Sequence, residues 1–211
     1  MRLSRSSGGE GDKRITIHGW SLVELCVVLA IMLVVAGTFI PATMMTLQQY
    51  QLRTAATGVA TMLQNARMES VRLNRHYTVQ QRQLILDGMT YDQLFLDENA
   101  SGSYDPGEPF VQLPRGVRLD SATAPSLPAA TLGFTPQSST VALSFNGMGL
   151  PCVVRNAVCT IWDASGNAVG VVYFMRDTRA ATPRWAAVSV SPGGRAHSWR
   201  WSSSGSKWLS Q

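Results

Sequence analysis

The chain has 211 residues, 45% of them apolar, enough to bury one substantial core and leave an extension. Its formal charge of +5 falls to about +3 beyond Gly19, since four basic and two acidic residues precede that point. So small an excess excludes a polycation that binds nucleic acid through net charge alone, and His18, His76 and His197 lie too far apart in sequence to suggest a zinc cluster with the cysteines.

From Trp20 to Ile40 the sequence reads WSLVELCVVLAIMLVVAGTFI, with Glu24 its only charged side chain. A helix over that stretch spans roughly 30 Å at ~1.5 Å per residue, the thickness of a bilayer's hydrocarbon core. No later segment comes close. Arg2, Arg5, Lys13 and Arg14 precede the run, which places the N-terminus in the cytoplasm and the remainder outside, as in a periplasm. A secretory signal would put small residues after its apolar run, whereas here a glycine stands before it. A carboxylate inside an apolar span costs up to a few kcal/mol, so Glu24 asks for a partner.

The stretch Gly19-Trp20-Ser21-Leu22-Val23-Glu24-Leu25 resembles the class III signal of type IV prepilins and pseudopilins, G-F-[ST]-L-[IV]-E-L, with Trp20 in place of the usual phenylalanine. The resemblance implies that prepilin peptidase cuts between Gly19 and Trp20 and that the new N-terminal residue is methylated. It also implies that Glu24 compensates the terminal amine of a neighbouring subunit during assembly. Pro41 falls where many pilins carry a helix-bending proline.

After Pro41 the pattern turns amphipathic. Leu52, Ala55, Ala56, Val59, Met62, Leu63, Ala66 and Val71 recur at spacings of three and four, which predicts one helix from Ser21 to Asn74. Its first half sits in lipid or a filament core; its second packs on a sheet. The segment QLRTAATGVATMLQNARMESVRLNR is similar to the FimT/GspH-type minor pilins, with Arg53, Ala55, Ala56, Ala66, Arg67, Glu69 and Arg72 matching and Ser70 replacing the usual alanine.

Beyond Asn74 the signals are short alternating strands, at 76–81, 93–97, 110–113, 117–120, 141–145, 158–162, 169–175, 185–190 and 196–201. Gly, Pro, Asn and Asp separate them, and 122–139, rich in Pro, Ser, Thr and Ala, reads as a surface loop. The expected class is α+β, a long N-terminal helix, its first half transmembrane, packed on antiparallel sheet. The expected parts are a cleaved leader (1–19), an apolar helix (20–41), an amphipathic helix (42–75) and a β-rich domain (76–211).

No catalytic motif is present, so the chain does not read as an enzyme. Cys26 lies in the apolar span. Cys152 and Cys159, close in sequence and outside the reducing cytoplasm, either close a disulfide or stand as two structural thiols.

The segment from Asp97 to Glu108 follows the calcium-loop spacing D-x-[DN]-x-[DN]-G-x5-E. Asp97, Asn99, Ser101, Ser103 through its carbonyl, Asp105 and Glu108 are the candidate ligands, and Ser101 stands where Asp or Asn is usual. The same residue types also make an ordinary solvated turn. Near the C-terminus arginines interleave with tryptophans, and Gly194-Arg195-Ala196-His197 partly matches the G-R-x-R of FimT-like DNA-uptake pilins. Arg195, His197, Arg200 and Lys207 are therefore candidates for DNA contact.

The resemblance implies a minor pilin or pseudopilin of a type IV pilus or a type II secretion pseudopilus, held in the inner membrane before it joins the fibre. Its partners would be other pilins, prepilin peptidase and, through the basic segment, extracellular DNA. The alternative is a DNA-capturing module for which assembly serves only display.

Overall fold

The computed structural model describes residues 21–211, apart from 138–141, 157 and 181 and the side chains of 38, 41 and 42. Gly19 and Trp20 lie outside the described residues. The chain divides into two compact units, 1–44 and 45–211.

Helix α1 runs Leu22–Leu73. Its start has a local cause: the Glu24 N–H donates to Ser21 Oγ at 3.2 Å and the Leu25 N–H to the Ser21 carbonyl at 3.1 Å. Ser21 is thus the N-cap, and Ser21-x-x-Glu24 has the spacing of a capping box. In the first unit the large apolar side chains of α1 stand largely exposed, Leu22 at 79% and Leu33 at 74%. Among the described residues no helix is long and apolar enough to cross a membrane. The run with described side chains, 22–37, reaches only roughly 24 Å at ~1.5 Å per residue.

In the second unit the helical stripe is buried as expected: Leu52, Ala55, Ala56, Val59, Met62, Leu63 and Ala66 all face the core. Val71 does not; it is half exposed, and Ser70 takes the buried place instead, its hydroxyl donating to the Arg67 carbonyl at 2.7 Å.

The expected antiparallel sheet is present as two sheets. The first orders β3 (Phe110–Gln112), β2 (Met89–Asp97), β1 (Tyr77–Leu86), β5 (Leu143–Phe145), β6 (Pro151–Arg155) and β7 (Val158–Thr160). The second orders β11 (Lys207–Ser210), β10 (Ala196–Ser202), β9 (Arg184–Val190), β8 (Val171–Asp177) and β4 (Val117–Leu119). β1 and β2 form one hairpin through Asp87 and Gly88, both at positive φ, the backbone a tight two-residue turn needs.

The main core lies among α1 and both sheets, filled by Val79, Leu94, Leu143 and Phe145 from one and Met175, Ala186 and Val188 from the other. Strand alternation sends Val172, Trp185 and Ala187 to the opposite face of the second sheet. There they meet Trp208 and Leu127 in a smaller core. The 122–139 segment is therefore more than a surface loop. It carries Leu127 and the short helix α2 (Ala129–Leu132), and the Ser126 carbonyl accepts a bond from Trp208 Nε1 at 3.2 Å.

Cys152 and Cys159 are joined as a disulfide across the β6–β7 hairpin, their Cα atoms 5.4 Å apart. Replacing both by serine is expected to cost about 2.5 kcal/mol, the loop-closure value for so short a ring. Urea titration of the detergent-solubilised chain measures it. A cost below about 1 kcal/mol would mean that the strand ladder alone holds the hairpin.

Candidate functional sites

Three sequence-predicted sites fall within the described residues. The first is Glu24, the third residue of α1, one turn into an apolar and exposed stretch. Its backbone N–H is used in capping by Ser21, and that bond does not involve the carboxylate. The acid sits at the helix N-terminus, where the macrodipole favours negative charge.

The second is the 97–108 loop. Asp105 Oδ2 accepts from Asn99 Nδ2 at 2.7 Å and from Ser101 Oγ at 3.0 Å, contacts that hold its carboxyl below the usual carboxylate range. Ser101 Oγ also lies 2.8 Å from the Ser103 carbonyl, so these four candidate ligands do come together. The end residues bond to the loop's backbone. Buried Asp97 accepts from the N–H groups of Ser101 and Gly102 and from Gln80 Nε2, and Glu108 accepts from the N–H groups of Glu98 and Asp105. Among the described residues no group of three or more His, Cys, Asp or Glu is placed to hold a metal.

Backbone donors thus hold the two ends of the loop. Tyr104 fastens it further, set edge-on between Phe95 and Phe110 with the Arg82 guanidinium 3.7 Å over its ring. Millimolar calcium is accordingly expected to leave the melting temperature of the solubilised chain unchanged. Asp97→Ala, which strands three donors beside a buried position, is expected to cost about 2 kcal/mol. A calcium-dependent rise of several degrees, abolished by Asp97→Ala, would show instead that the end residues turn inward onto the ion.

The third is the C-terminal basic segment. Arg195 lies at the exposed tip of the β9–β10 hairpin, and roughly 17 Å of strand separates it from Arg200 at ~3.3 Å per residue. Ala196 packs against the main core, while Trp199 and Trp201 pack against the smaller one, so Arg200 and His197 project from opposite faces of the sheet. His197 stacks edge-on against Trp199. Lys207 pairs with Ser202 and shares the Arg200 face. The four candidates therefore do not form one surface.

Two arrangements escaped the sequence reading. Gly194, the first residue of the partial G-R-x-R match, sits where an added Cβ would lie 2.4 Å from the Gly149 carbonyl oxygen. That same oxygen accepts a bond from Arg67 Nε at 3.0 Å. The motif's glycine and the helix's arginine are thus one packing device that ties α1 to hairpins from both sheets. The second arrangement is a groove in which Arg200 meets Arg53 and Arg184, residues distant in sequence.

Residues 55–194 match the family model described as type II transport protein GspH. The chain is also 31% identical over 172 residues to the "Pilin-like protein PilA1" of Thermus thermophilus, covering 79% of this chain and 98% of that protein. No solved structure matches. The family match begins inside α1 and ends at Gly194, so it includes the Gly194–Arg67 contact but excludes Glu24, Arg195 and Arg200.

Proposed function

Because this chain belongs to the GspH family of type II transport proteins and is a type IV pilin-like minor pilin or pseudopilin, we propose how it works. Prepilin peptidase cuts the precursor between Gly19 and Trp20. The apolar half of α1 then holds the chain in the inner membrane, with the β-rich domain in the periplasm. The same helix carries it into a type IV pilus or a type II secretion pseudopilus, where Glu24 meets the amine of a neighbouring subunit.

One observation carries this reading. The first unit's helix displays a run of large, exposed apolar side chains, Val23, Leu25, Met32, Leu33 and Phe39 among them. Burying each is worth ~1.5–3 kcal/mol, so water is not their resting medium. Lipid before assembly and neighbouring helices after it supply the cover. The dispersal of Arg195, His197 and Arg200 favours a structural subunit over a module built to capture DNA.

Mass spectrometry of the protein recovered from cells tests the reading. The expected product begins at Trp20 and carries one added methyl group. A product retaining Met1 to Gly19 would remove the basis for assembly through a freed amine.

A further inference from the structure

Within the second unit, the α1 segment Thr46–Arg53 and strands β9 and β10 enclose a groove of about 490 Å³. Three guanidinium groups from three elements line it: Arg53 from α1, Arg184 from β9 and Arg200 from β10. Among the described residues no aspartate or glutamate side chain does.

Their partners are all neutral. Arg53 Nε donates weakly to Gln211 Oε1 at 3.4 Å, and an Arg184 terminal nitrogen donates to the Met45 carbonyl at 3.2 Å. Arg200 has no ion pair among the described residues. Elsewhere Arg72, Arg118, Arg176 and Arg179 each hold a carboxylate. Three like charges around one groove repel, and an anion between them removes the penalty.

The surroundings select the anion. Tyr50 lines the groove beside the arginines, an aromatic among cationic groups of the kind that settle at a membrane's headgroup level. On the same helix segment Leu47 and Tyr50, three residues apart and so on one side of the helix, are each at least half exposed, a flank suited to acyl chains. In sequence this segment follows closely on the apolar run that ends at Ile40.

We infer that this groove takes the phosphate of an anionic phospholipid, docking the domain on the bilayer surface before the subunit joins a fibre. The inference rests on the membrane-anchored reading above. The arginines grip the phosphate, and the exposed Leu47 lies along the acyl chains. Extraction into the fibre would then have to break this grip as well as remove the helix from lipid.

The test uses the full chain in nanodiscs of equal phosphatidylglycerol and phosphatidylcholine, released intact in a mass spectrometer, with the retained lipids counted. Phosphatidylglycerol is expected to exceed phosphatidylcholine by about tenfold, and Arg200→Gln to lower that preference by about fivefold, the effect of one basic residue at an anionic surface. Arg53→Gln with Arg200→Gln should abolish it, while Arg195→Gln, at the remote hairpin tip, leaves it intact. Equal retention of the two lipids, or a preference that survives the double variant, overturns the inference and leaves the anchoring intact. Displacement of the lipid by inorganic phosphate would show a free-phosphate site, and displacement by a 12-base oligonucleotide a nucleic-acid groove; either overturns it. A chain that fails to enter nanodiscs at all sinks the anchoring reading, a different result from entry without preference.

Discussion

Gly194→Ala is expected to destabilise the domain by about 3 kcal/mol, far more than an exposed hairpin residue normally would. Two costs add. The backbone at Gly194 has φ +78, where an alanine Cβ crowds its own carbonyl and costs roughly 1–2 kcal/mol. The new Cβ would also stand 2.4 Å from the Gly149 carbonyl oxygen and 2.9 Å from Arg67 Nε. The arginine is the flexible end of a side chain and can move. The carbonyl cannot move without shifting the β5–β6 turn, where Gly149 itself has φ +73. Forced repacking of that kind costs roughly 1–3 kcal/mol.

A built-in control sits one residue away. A Cβ on Gly193 would find only Ser191 Oγ, at 3.9 Å, an ordinary contact. Gly193→Ala should therefore change little, whereas Gly194→Ala should lower the melting temperature of the solubilised chain by about 10 °C. Equal melting temperatures for the two variants would show that the two hairpins are not in contact through this glycine.

The same residues show where the sequence was legible and where it was not. The α1 stripe from Leu52 to Ala66 was readable because a helix against a core repeats every three to four residues. Val71 broke the pattern: at that point Ser70 turns toward the core, satisfied by its own helix through the Arg67 carbonyl. The Asp87-Gly88 turn was present in the sequence as a two-residue hairpin signal. Reading it would have extended both flanking strands to Tyr77–Leu86 and Met89–Asp97. β6 begins at Pro151, a residue that argues against a strand unless it opens one, as it does here.

Partners brought together by the chain's path were not legible. Alternation along β10 puts Arg200 on the helix-facing side and His197 on the other, but only the second sheet's position beneath α1 shows which side meets Arg53 and Arg184. In the 97–108 loop Asn99, Ser101, Ser103 and Asp105 come together. Spacing alone could not reveal that Asp97 accepts from two backbone N–H groups and Gln80 Nε2, and Glu108 from two backbone N–H groups.

Glu24→Val is expected to leave the chain in the membrane fraction while its recovery in sheared fibres falls about tenfold or more. Valine is the better membrane residue, by about 3 kcal/mol at the centre of a span, so loss from the fibre cannot be blamed on weaker anchoring. Nor can it be blamed on a broken helix start, because the bond to Ser21 Oγ uses the residue-24 backbone N–H, which valine keeps. What the substitution removes is a charge that, in a water-poor fibre core, would pair with a neighbour's amine; a tenfold loss corresponds to ~1.4 kcal/mol, modest for such a pair.

Glu24→Gln separates this from capping. Glutamine serves the third position of a capping box as glutamate does, so a capping role predicts rescue by glutamine and a similar loss in Ser21→Ala. A pairing role predicts that glutamine fails as valine does and that Ser21→Ala, which costs the helix start only about 1 kcal/mol, still assembles. Full fibre incorporation of Glu24→Gln would place the carboxylate's purpose inside its own helix and remove the electrostatic basis for joining one subunit to the next.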